Sequence, residues 1–147
     1  MANFVYTNAK RAILAGEIDL ASDDIRALIV MTNTTADTDE DAATLGAITT
    51  LDEFDGSGYT RQALTTTEVT ADAANDRGVF SADDVTFANV SAGTRSAAAF
   101  VIYKHVTDDT DAVPLLYIDT VTGITLPFAP NGGDVLLNWA ASGVLYA

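Results

Sequence analysis

The run AAFVIYKHV at residues 98 to 106 is the most apolar stretch of the chain, rich in β-branched and aromatic side chains and free of Gly and Pro. Such a run predicts a strand buried on both faces, lying centrally in a sheet. A second run of the same kind, IRALIVM at 25 to 31, follows the turn Ser22-Asp23-Asp24 and predicts a second buried strand. Outward from these two, extended segments alternate with clusters of Asp, Asn and Gly. They are YTRQALTTTEVT (59 to 70), RGVFSA (77 to 82), DVTFANV (84 to 90), PLLYIDT (114 to 120), TLPF (125 to 128), DVLLNWA (134 to 140) and VLY (144 to 146). Short runs at regular spacing predict an all-β, mainly antiparallel domain, a two-layer β-sandwich or jelly-roll-like fold. Pro114 and Pro127 lack the ladder donor and mark edge strands or strand starts.

Composition agrees with that reading. Of 21 acidic residues 17 are Asp, and Thr occurs 20 times against two Lys. Asp favours turns and Thr favours strands, whereas Glu and Lys favour helix interiors. The 147 residues fit one domain spanning 1 to 147, and 48% hydrophobic residues are too many for an acidic disordered chain. A net charge of -14, with the seven basic residues scattered, argues against nucleic acid or an anionic membrane as partner. Cysteine is absent, which removes disulfides and thiolate chemistry. The opening MANFVYTNAKRAIL does not read as an export signal, and no apolar run reaches the roughly 18 residues needed to cross a bilayer.

One helix is expected, over residues 3 to 15. Phe4, Val5, Ala9, Ala12 and Ile13 recur at helical spacing, Asn3 is placed to cap the first turn, and Gly16 to end the last. Residues 33 to 55 read as an acidic surface loop with at most a helical turn around Leu45, Ile48 and Leu51.

The sequence offers little reactive chemistry, and the chain is expected not to be an enzyme and to need no cofactor. His105, the only histidine, ends a predicted strand beside an acidic loop, but no G-x-S-x-G turn presents a nucleophile and no second histidine completes a metal site. Carboxylate pairs are plentiful by chance among so many aspartates. Asp119, the acid most deeply set in an apolar strand, is turned outward beside Tyr117 by alternation. Calcium is the best metal candidate, through Asp37, Asp39 and Asp41 or through Asp108, Asp109 and Asp111. The first cluster begins like a calcium-binding helix-loop-helix count and then departs from it, with Ala42 where Gly belongs and Ile48 where the closing Glu belongs. Gly56, Gly58, Gly132 and Gly133 fit turns and no phosphate-binding pattern. Tyr59, Tyr103, Tyr117 and Trp139 are candidates for an aromatic platform or for interface packing.

The order of segments resembles a family of small tailed-bacteriophage virion proteins associated with capsid decoration, also called cement proteins. The resemblance is carried by NFVYTNAKRAILAGEIDL, DDIRALIV, GSGYTRQAL, NDRGVFSADDVTFANV, AAAFVIYK, PLLYIDT and LLNWAASGVL, spanning roughly residues 4 to 145. Related sequences also carry labels as tail or unassigned structural proteins.

The resemblance implies a homotrimer seated on the outer capsid surface of the virion, with the major capsid protein as partner. Under it Phe4, Val5, Tyr6, Lys10 and Arg11 are candidates for an arm touching the shell or a neighbouring protomer, or for a cap on the sandwich. Tyr59, Arg61 and Trp139 are further interface candidates. A tail-associated structural protein and a carbohydrate- or calcium-binding β module stand as alternatives.

Overall fold

Where the chain runs apolar on both faces it lies inside a five-stranded antiparallel sheet. The computed structural model describes residues 3–147, so residues 1 and 2 of the expected domain lie outside the described residues. In chain order the strands are β1 (Phe4–Val5), β2 (Ile25–Met31), β3 (Gln62–Ala63), β4 (Glu68–Asp72), β5 (Arg77–Ser81), β6 (Val85–Phe87), β7 (Ala97–Lys104), β8 (Val113–Ile118), β9 (Val135–Leu137) and β10 (Leu145–Tyr146). One helix, α1 (Thr7–Leu14), follows β1, and a single 3-10 turn covers Leu45–Ala47. The main sheet has the order β1-β8-β7-β2-β3, and smaller sheets β10-β5-β4 and β6-β9 accompany it. The chain is therefore all-β, mainly antiparallel and sandwich-like, with one short helix near its start.

The strand from 98 to 106 is observed as β7, the centre of the main sheet, and IRALIVM is β2. Their register pairs Ala27 with Ile102, Leu28 with Val101 and Ile29 with Phe100. Alternation then puts Ala27, Ile29, Phe100 and Ile102 on one face and Leu28, Val101 and Tyr103 on the other, all of them fully buried. On the first face Phe100 meets Phe87 of β6 at 5.9 Å between ring centroids, and Phe87 in turn stacks on Tyr59 at 5.9 Å. Beyond Tyr59 lies Phe54, edge-on at 5.7 Å, so one aromatic row joins the main sheet to the β6-β9 pair. Pro114 pairs with Tyr103 and Leu116 with Ile102, which leaves Leu115 as a bulge whose carbonyl accepts the Tyr6 N–H at 2.9 Å.

Several expectations are corrected. The helix does not begin at residue 3: Phe4 and Val5 pair with Tyr117 and Leu116 as an edge strand, and α1 starts at Thr7. Asn3 caps the end of β8 in place of the helix, accepting the N–H groups of Asp119 and Thr120 and donating to the Thr120 carbonyl. Gly16 does end the helix: at φ +72 it lets its own N–H reach the Ile13 carbonyl and the Glu17 N–H reach that of Ala12. The run 59 to 70 is broken into β3 and β4 at Thr66, whose φ of +54 takes it out of the strand region. TLPF contributes no strand and only an isolated bridge between Phe128 and Ala97.

The segment 33 to 55 is irregular, as its composition implies, but it is not a free surface loop. Ala36, Leu45, Ile48 and Phe54 are buried in it. It is stitched down by the Tyr6 hydroxyl donating to the Ala36 carbonyl at 2.8 Å, by Leu45 N–H to Ala112, by Gly46 N–H to Asp109 and by Phe54 N–H to Ile29. Its apolar residues lack a period of 2 or 3.6 because an irregular backbone has none. Removing the fully buried ring at the main-sheet end of the aromatic row, by Phe100→Ala, is expected to lower unfolding free energy by about 3–5 kcal/mol, read from urea denaturation.

Candidate functional site

Of the acids that composition offers as calcium ligands, Asp39, Asp108 and Asp111 serve their own turns. Asp39 accepts the Thr35 hydroxyl and the Thr49 N–H, each at 2.7 Å. Asp108 accepts the Thr110 hydroxyl at 2.6 Å and its N–H at 2.8 Å, while Asp111 accepts the N–H groups of Thr107 and Asp108. These bonds hold the Asp39, Asp108 and Asp111 carboxyls below the usual range, and the Thr94 hydroxyl and N–H do the same for Asp55. No group of three or more ligating side chains converges among the described residues. Asp37, Asp39 and Asp41 thus supply no assembled cation shell, and neither do Asp108, Asp109 and Asp111.

Asp109 instead belongs to a cluster that sequence spacing does not reveal. Arg61 donates to Glu53 through Nε and Nη2 at 2.8 and 2.7 Å, and to Asp109 through Nη1 and Nη2 at 2.6 and 3.0 Å. Its guanidinium lies 5.3 Å from the centre of the Tyr103 ring. Glu53 Oε1 also accepts the Tyr59 hydroxyl at 2.8 Å, and that hydroxyl accepts the Ile29 N–H at 3.1 Å. The arrangement ties the 33 to 55 segment, β2 and the turn after β7 to one partly buried cation. Tyr59 and Arg61 thus have their polar partners within the molecule. Burial pushes the Tyr59 phenol well above its ordinary range, with the Glu53 charge adding to the effect.

The other interface candidates fall in different places. Tyr6 is buried, its phenol raised mainly by that burial. Lys10 and Arg11 are exposed on α1, Arg11 forming a bidentate pair with Glu17. Phe4 stacks on Tyr117 at 5.3 Å and meets Tyr6 edge-on at 5.0 Å. Phe4 and Val5 join Trp139 in lining a cavity of about 450 Å3 between the β1 edge of the main sheet and residues 137 to 146. A smaller hollow of about 170 Å3, lined by Ile13, Leu20, Val69, Phe80 and Tyr146 among others, lies between α1 and the β10-β5-β4 sheet. Sequence reasoning singled out none of Ile13, Leu20, Val69 or Phe80 as surface-forming. The one available signal is Val69, apolar between Glu68 and Thr70 in a strand that alternation would otherwise leave polar. His105 lies just after β7, half-buried, its backbone N–H bonded to the Asp24 carbonyl.

No known protein family, no curated protein and no solved structure matches the chain.

Two measurements probe this chemistry. Arg61→Leu leaves Glu53 and Asp109 facing each other without their shared cation, and is expected to cost about 1–3 kcal/mol in urea denaturation while Lys10→Ala costs almost nothing. The pH dependence has a sign on each side. The lowered Asp39, Asp55, Asp108 and Asp111 contribute stability that is present above their unfolded value, near 4, and lost as pH falls. The raised Tyr6 and Tyr59 contribute stability that is present below about 10 and lost as pH rises beyond it. The urea midpoint should therefore be level between roughly pH 5 and 9 and decline on both sides.

Proposed function

We propose that the chain is a bacteriophage head decoration protein that binds the outer capsid surface as a symmetric homotrimer and stabilises the shell against the pressure of packaged DNA. Enzymatic activity has no part in this reading, and localisation is the virion exterior. The order of sequence segments supports it, and so does an all-β sandwich-like body with one short helix.

The observation that carries it is the apolar hollow between α1 and the β10-β5-β4 sheet. Val69 and Tyr146, which line it, are 53% and 55% exposed, and Leu14, next in sequence to the lining residue Ile13, is 89% exposed. No Asp or Glu side chain lines that hollow in a chain carrying 21 acids. Copies that repel one another elsewhere can meet there without opposing like charges, and the exposed apolar side chains gain by burial at about 25 cal/mol per Å2. The occupant fitted by this face is a second copy of the chain, repeated around a three-fold axis. A clamp bound to several capsid subunits then favours the assembled shell through linkage, and repetition adds avidity to contacts that are weak singly.

Light scattering on the free protein is expected to give a mass three times 15.4 kDa, with well over about 1,000 Å2 buried in total. Val69→Asp should give the single-chain mass while keeping a cooperative melting transition, which separates loss of association from loss of folding. Mass spectrometry of purified particles, with and without tails, should find the chain in stoichiometric amounts on heads. Recovery along the tail would favour a tail structural protein instead, and a monomer absent from particles would end the proposal.

A further inference from the structure

The cavity beside β1 has a composition unlike the rest of the surface. Its volume of about 450 Å3 falls in the range of small-ligand clefts, roughly 300–1,000 Å3. In a chain with 21 acidic and seven basic residues, no Asp, Glu, Lys, Arg or His lines it. A phosphorylated or carboxylated ligand would find no cation there, and an amine no carboxylate. Phe4, Val5, Trp139 and Tyr146 give the lining its apolar area, while Asn138 and Ser142 bring an amide and a hydroxyl. A purely hydrocarbon ligand would desolvate those polar groups without replacing their hydrogen bonds. Trp139 is fixed at two points: its indole N–H donates to the Asp83 carbonyl and its backbone N–H to Asp84 Oδ1, both at 2.9 Å.

We propose that this cavity is a binding site for neutral carbohydrate, with the Trp139 ring as stacking platform and Asn138 and Ser142 bonding sugar hydroxyls. A pyranose ring offers an apolar face of C–H groups and a neutral rim of hydroxyls. Its recognition needs a flat aromatic surface held in place, uncharged donors and acceptors, and few competing charges. The site shares Leu145 and Tyr146 with the hollow under Val69, but Trp139, Asn138 and Ser142 belong to the cavity alone and call for no second copy.

Trp139 is the only tryptophan, so the indole emission of the whole protein reports on this cavity alone. The full chain should be titrated with neutral hexasaccharides, namely α-1,4-glucose, β-1,4-glucose and β-1,4-N-acetylglucosamine oligomers, and with a polyuronate hexamer as charged control. At least one neutral oligomer is expected to change the emission saturably, and the polyuronate to leave it unchanged. Asn138→Ala and Ser142→Ala, which keep the tryptophan, should each weaken that binding about fivefold without lowering the melting temperature. No response to any neutral oligomer at millimolar concentration, a response to polyuronate alone, or undiminished binding in both variants would overturn the proposal. The oligomeric state from light scattering, measured separately, keeps this result distinct from the fate of the trimer.

Discussion

A sheet that is apolar on both faces has to be covered on both, and this chain has one helix of eight residues with which to do it. The β6-β9 pair adds cover through Phe87, and much of the remainder is irregular backbone, whose N–H and C=O groups find no ladder of their own and must be satisfied one at a time. That requirement organises the molecule. It explains why Tyr6 reaches the Ala36 carbonyl, why the Tyr59 hydroxyl takes the Ile29 N–H at an edge that β3 leaves uncovered, and why the Asp and Thr side chains so often close turns. The abundance of Asp is then a consequence of the architecture as well as a source of charge. Carboxylates such as Asp39, Asp108, Asp111 and Asp134 substitute for missing backbone acceptors.

Legibility in the sequence follows the same division. The strands β2 and β7 are plain because continuous apolar residues with β-branched members permit little else, and their bounds at Asp23-Asp24 and beyond Lys104 are turn chemistry. Phe4 and Val5 mislead because two apolar residues fit both a helical face and an edge strand, and only their pairing with Leu116 and Tyr117, far along the chain, decides between them. Thr65 to Thr67 look extended by propensity, yet Thr66 bonds Asp83 through its hydroxyl and turns the chain. The Arg61 cluster is invisible for a related reason: Glu53 and Asp109 sit 8 and 48 residues away, with no local pattern to join them. Phe4 and Trp139 meet around one cavity from opposite ends of the sequence.

The surface divides by charge in a way that bears on function. Paired and turn-bonded acids hold most of the periphery, with Arg11, Arg26, Arg61, Arg77, Arg95 and Lys104 each beside a carboxylate. Two regions stand apart from that pattern: the hollow under Val69 and the cavity beside Trp139. Net negative charge opposes contact between copies over most of that periphery, and opposes it least where acidic side chains are missing.

The pairing of β1 with β8 joins Phe4 to Tyr117, which sets a condition on how the protein matures during its synthesis. During synthesis β1 precedes β8 and waits for more than a hundred further residues before its ladder partner exists. Until then α1 has no β8 to pack against, and the bulge carbonyl that takes the Tyr6 N–H has not been made. With so many of its contacts distant in sequence, the domain gains little from early, local folding, and its acquisition of structure is late and concerted.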